Sequence, residues 1–141
     1  MDEPEFKKLV EKEWAKVPSP YRERIANVAV LVEDEPSDEV RKLEALGEGD
    51  TLLGIYQGVP LTERGEGYGT GGTLPDTITV YRLPTLLEAE ELLHETGGEL
   101  IDHIRRVVRD TIWHEVGHYF GHGDEHIHRR EDEGTNEFRP S

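Results

Sequence analysis

The sequence predicts an α+β or α/β domain with a small sheet, and three observations predict it. Apolar residues recur at helical spacing near both ends of the chain, at Phe6, Leu9, Val10, Trp14 and Val17 and again from Leu100 to His118. Between them lie short runs rich in Val, Ile, Thr and Tyr, with the length and composition of strands. The resulting order, αβαββαα, contains no internal repeat, and residues 1–141 form one domain with chain enough for a single core.

Each element has a local reason. The first helix, carrying Phe6 to Val17, is stopped by Pro18-Ser19-Pro20. Ala26–Val32 is an apolar, valine-rich run that reads as a buried strand. Ser37 is placed to cap a short helix through Leu46, with Asp38 and Glu39 in its first turn and Gly47 just past its end. Thr51–Tyr56 is a second strand. The segment Gly58–Pro75 carries Gly65, Gly67, Gly69, Gly71 and Gly72 and reads as a loop. No Gly-Lys-Ser/Thr follows it and no helix opens from it, which argues against phosphate binding. A loop of that length is either a functional lid or a disordered segment. Thr77–Tyr81 alternates strictly, as a half-buried strand does, with Ile78 and Val80 on one face. Pro84 ends it, and Thr85 begins a helix through about His94. Gly97-Gly98 then separates this helix from a long helical pattern over roughly 99–120.

Composition narrows the function classes. A net charge of -15 lacks the basic footprint that nucleic acid or an anionic membrane surface requires. It reads as a solubilising surface, with a preference for basic substrates as the sharper alternative. With no cysteine there is neither a disulfide framework nor a thiolate metal site, so any transition metal must be held by His, Asp, Glu and water. The first eight residues are acidic and lack the apolar stretch of a signal peptide, and no run is long enough to span a bilayer. The chain therefore reads as cytoplasmic. One Met, one Gln and two Asn beside abundant Glu and Arg resemble the composition of thermophile proteins.

The long helix carries the chemistry. Leu100, Ile104, Val107, Thr111, His114 and His118 are spaced by four, three, four, three and four, so they share one stripe. Ile101, Val108 and Ile112 widen it, and the two histidines extend an apolar seam towards a cleft. At i and i+4 their imidazoles stack one turn apart and can converge on one tetrahedral ion. Glu115 is rotated about 100° around the helix, which disfavours it as a third ligand but lets it reach a metal-held water as general base. Gly121 can end the helix in a left-handed conformation, and Asp124 follows within reach of the metal from the far side. The pattern His-Glu-x-x-His-x-x-Gly-x-x-Asp thus has a physical task at each fixed position. Gly117, inside the helix between the ligands, points to a close approach of another backbone or a substrate.

These residues resemble the zincin metallopeptidases, and the extension through Gly121 and Asp124 resembles the metzincin branch with Asp in place of the third His. More narrowly, the chain is similar to a small bacterial zincin-like family, the minimal zincins, over Asn27–Pro36, Leu53–Leu61, Leu74–Arg82 and the metal helix. The resemblance implies an α+β, minimal zincin-like fold with a small mixed sheet packed against the metal-bearing helix, one zinc per chain held by His114, His118 and Asp124, and Glu115 as the base in peptide-bond hydrolysis. It also implies a peptide or protein substrate lying antiparallel along an edge strand, here Thr77–Tyr81. The departures are specific. The only Met is Met1, so no Met-turn lies beneath the metal; the residues after Asp124 are too few for a lower subdomain; and no Tyr follows Tyr119.

Alternatives remain open at the third ligand. His126 or His128 could replace Asp124 or form a second site, with solvated surface histidines as the plainer reading. His122 and Glu125 could support the ligand from behind, and Glu133 or Glu137 would serve only if a later helix formed, against Gly134 and Pro140. His94 and His103 read as structural or exposed. Besides a peptidase, the sequence admits a non-catalytic zinc-binding or interaction module, or a hydrolase of non-peptide amides. The intact Glu115 favours an enzyme, because a purely structural site needs no base beside the metal.

Overall fold

Three strands and four helices make up the regular structure of residues 1–18, 21, 28–58 and 76–120, which are the residues described by a computed structural model. Helix α1 (Glu3–Ala15) starts where the Asp2 side chain accepts the Glu5 N–H at 3.0 Å, with Pro4 in the first turn and Glu3 and Glu5 at the positive end of the dipole. Strand β1 spans Val28–Glu33. Helix α2 (Asp38–Leu43) is capped as expected, Ser37 Oγ accepting the Val40 N–H at 3.2 Å.

Helix α2 stops three residues short of Leu46. Ala45 takes a left-handed φ of 53°, and the Leu46 and Ala45 amides return to the carbonyls of Arg41 and Lys42. That pairing satisfies the helix's last carbonyls, so Ala45 and not Gly47 terminates it. Gly47 instead accepts the Arg41 guanidinium at 2.8 Å through its carbonyl.

Strands β2 (Gly54–Gln57) and β3 (Asp76–Tyr81) follow, then helix α3 (Arg82–Thr96) and helix α4 (Leu100–Tyr119). Helix α3 departs from expectation at its start, since it follows β3 directly and contains Pro84 in its first turn. The first four N–H groups of a helix have no partner within it, so proline costs nothing there and its fixed φ suits the turn. Gly97 and Gly98, at φ 72° and 92°, break the chain between α3 and α4 as the sequence predicts.

The sheet is mixed and ordered β1-β3-β2, with β1 parallel and β2 antiparallel to β3. This overturns the assignment of Thr77–Tyr81 as an edge strand: β1 occupies one side of β3 along its whole length and β2 the other. Strict alternation reports that a strand's two faces differ, and it carries no information about its two edges. Nor is β3 half-buried. Ile78 and Val80 meet the helices on one face, while Tyr81 on the other packs with Val40 and Ile55.

The main core lies between the sheet and helices α1 and α4, built on Phe6, Val10, Ile78, Val80, Val108, Ile112 and Val116. Burying each such side chain stabilises the fold by roughly 1.5–3 kcal/mol. Along α4 the deepest line is Val108, Ile112, Val116, each at most 1% exposed. The His114–His118 line therefore lies on its flank, where the helix surface meets the edge of the sheet. No helix among the described residues is long and apolar enough to cross a membrane.

Candidate metal centre

Helix α4 brings His114 and His118 into its last two turns. Their ring centroids are 4.9 Å apart at an interplanar angle of 65°, and both are half-buried. The helix's negative dipole end lies beside them and favours a cation. Glu115 is 8% exposed, and one carboxylate oxygen together with one nitrogen from each imidazole all lie within 4.8 Å of one another. Among the described residues this is the one group of three or more His, Asp or Glu placed to hold a metal ion. The donor set, two imidazoles and an oxygen without thiolate, suits zinc.

Glu115 reaches closer to the imidazoles than its rotation around the helix implies, because a Glu side chain is long enough to lean along the surface. Its position is fixed by the sheet: Oε1 accepts the backbone N–H of Tyr56 at 2.8 Å. Strand β2 is thus the edge strand that meets the metal helix. The contact is close because residue 54 is glycine. A Cβ there would lie 2.6 Å from Thr111 Cγ2 and 2.8 Å from the Thr79 carbonyl oxygen, so a side chain would force β2 off α4.

Tyr56 is tied at two further points. Its hydroxyl donates to Asp76 Oδ2 at 2.7 Å, and its ring meets Tyr119 edge-to-face with centroids 5.9 Å apart. Beside this arrangement runs a cleft of about 490 Å³, lined by Leu52, Leu53, Leu92 and Val107, by the charged Glu88, Arg106 and Asp110, and by His114 and Glu115. A cleft that combines apolar lining with convergent polar groups is the form that ligand sites take.

The sequence-derived site is thus assembled in part. His114, Glu115 and His118 converge. Asp124, with the alternatives His122, Glu125, His126, His128, Glu133 and Glu137, lies outside the described residues, as does the loop over 59–75. Gly117 is buried. His94 is exposed, and His103 Nε2 lies 2.6 Å from the Gly97 carbonyl, a structural tie at the α3–α4 turn. Sequence reasoning did not single out Gly54, Tyr56 or Asp76 as site residues. One signal was present for Asp76: Asp is depleted in strands, and a carboxylate opening an apolar strand requires a buried donor.

No curated protein matches this chain. A solved structure of a conserved hypothetical protein from Thermus thermophilus is similar at 25% sequence identity, covering 90% of this chain and 97% of that one, with a TM-score of 0.48. Residues 25–134 match the family model described as zincin-like metallopeptidase.

Proposed function

This chain belongs to the zincin-like metallopeptidase family, and on that premise we propose that it is a zinc-dependent peptidase with Glu115 as general base. The observation that carries the reading is the convergence of His114, Glu115 and His118 donor atoms within 4.8 Å, with His114 and Glu115 also lining a cleft.

His114 and His118 would hold the ion through ring nitrogens, with Asp124 as the proposed third ligand. Zinc bound there would supply a water of near-neutral pKa and a Lewis acid for the substrate carbonyl. Glu115, beside the two imidazoles and bonded to the Tyr56 amide, would take a proton from the attacking water and return it to the amide nitrogen as the C–N bond breaks, leaving a carboxylic acid and an amine.

The substrate would be a peptide or a flexible protein segment added along β2. In an antiparallel ladder, alternate residues turn their N–H and C=O groups towards the partner strand. The Tyr81 N–H donates to the Leu53 carbonyl at 2.9 Å, so Leu53, Ile55 and Gln57 face β3 while Gly54 and Tyr56 face away from it. The Tyr56 N–H is already given to Glu115, so the other outward-facing groups of β2 would be the template for strand addition. The cleft over Leu52, Leu53, Leu92 and Val107 would take a substrate side chain.

The test pairs metal content with turnover. Glu115→Gln is expected to keep about one zinc per chain and to lose at least roughly 100-fold in peptide hydrolysis, whereas His118→Ala loses the zinc. Undiminished hydrolysis by Glu115→Gln would remove Glu115 as the base. Zinc-loaded parent protein that cleaves nothing in a broad peptide library would make the chain a non-catalytic zinc-binding module.

A further inference from the structure

We infer that Asp76 is a positioning residue for Glu115, acting through Tyr56, whose hydroxyl it accepts and whose backbone N–H in turn holds the Glu115 carboxylate. The catalytic half of this inference rests on the proposed function; the hydrogen-bonded arrangement can be tested without it.

The Tyr56 amide belongs to the outward-facing set of β2, so it makes no ladder bond. Its donation to Glu115 Oε1, 2.8 Å away and 59 residues distant in sequence, is a link between the sheet edge and the metal helix. A backbone donor can orient a carboxylate only if its strand is held at a fixed height above the helix. Tyr56 receives that constraint from its own side chain. The ring is gripped by Tyr119, which follows His118 in sequence, and the hydroxyl by Asp76 Oδ2 at 2.7 Å.

Asp76 is suited to serve as the fixed end. It is 3% exposed and opens β3, the central strand, where its backbone is in register with Val28 of β1. A buried carboxylate stays in place only with donors, and a phenolic hydroxyl is a short, directional one. The chain leaving β2 closes over it. Gly58 has φ 151°, and a Cβ there would collide with the Asp76 side chain, so only glycine lets the strand end pass this close. Asp76, Tyr56 and Glu115 thus form a rigid brace running from the central strand, through the edge strand, to the metal helix. Its consequence is that the base does not swing freely beside the site, which limits the loss that misplacement would cause.

The brace is read by amide hydrogen exchange on the zinc-loaded protein, with kinetics alongside. In the parent, the amide of residue 56 is expected to exchange slowly although it faces off the sheet. Tyr56→Phe keeps the ring and removes the bond to Asp76; exchange at residue 56 should rise by about tenfold or more while the ladder amides of Ile55 and Gln57 change by less than about twofold. Asp76→Asn retains an acceptor and should stay near the parent, whereas Asp76→Ala should follow Tyr56→Phe. Zinc content should be unchanged in all three. With a cleavable peptide, kcat should fall about tenfold or more in Tyr56→Phe with KM within about twofold. Unchanged exchange at residue 56 in Tyr56→Phe would overturn the inference, and so would acceleration spread evenly along β2, which marks general loosening. If the parent cleaves no peptide, the proposed function fails by itself and the exchange pattern still decides the brace.

Discussion

Tyr81 shows how one buried atom can make stability depend on pH. It is 0% exposed, its hydroxyl has no hydrogen-bond partner among the described residues, and its pKa is pushed up to about 12. Burial is the main cause, followed by the negative charges of Glu33, Glu44 and Glu115. A folded-state pKa above the unfolded value means that this contribution to stability is complete below pH 10 and is lost as the pH rises through about 12. Tyr81→Phe removes an unsatisfied hydroxyl while keeping the ring, so at neutral pH it should be neutral or stabilising by up to about 1 kcal/mol. Urea denaturation curves of parent and variant should then diverge further in the variant's favour between pH 10 and about 12. A parent that is equally stable across that window would refute the assignment.

Among elements, the contact between α1 and α4 is one of those that keep the metal helix in place, and it contains a buried ion pair. Glu13 accepts the Arg109 guanidinium at 3.2 Å, with side chains 2% and 12% exposed, and also meets Lys16 Nζ at 2.6 Å. Lys16 is 56% exposed, so Arg109 is the partner that matters. Around the pair, Phe6 and Val10 pack in the same core as Val108 and Ile112. Glu13→Ala strands Arg109 in a mostly dehydrated setting and should cost about 3 kcal/mol in chemical denaturation. Glu13→Gln retains an acceptor and should cost less. Metal affinity should be unaltered in both, because the pair sits more than one helical turn from His114 along α4. A large drop in zinc affinity would instead mean that α1 helps to shape the site.

For the whole molecule, the central question is whether the metal is needed to fold. The hydrophobic core runs through the sheet, α1 and α4 without using the ligand residues, so the metal-free protein should be folded. Zinc that binds only the native state should raise the melting temperature, adding about 4 kcal/mol at a thousandfold excess over its Kd, and a chelator should reverse the gain. His118→Ala should melt near the metal-free parent and ignore zinc. Identical melting of the parent with and without zinc would show that the ion does not bind the described pair.

The helices, the strands in their order, and the His-Glu-x-x-His constellation are all legible in the sequence because each is a short-range property. Helical stripes repeat every 3.6 residues, ligand pairs stack at i and i+4, and Ser37 or Gly97 act on their immediate neighbours. The limits of α2 and α3 lie a few residues from where local signals put them, because Ala45 takes a glycine-like conformation and Pro84 enters a first turn. What the sequence could not decide is which strand forms the edge. That depends on pairings between distant segments, and alternation in Thr77–Tyr81 looks the same in a central strand as in an outer one. The same holds for the partners of Tyr56, which lie 20 residues away at Asp76 and 59 away at Glu115. Spacing along one helix determined which side chains converge on a metal; the packing of β2 against that helix decided what holds the base beside it, because a hydrogen bond between distant segments exists only once the sheet is formed.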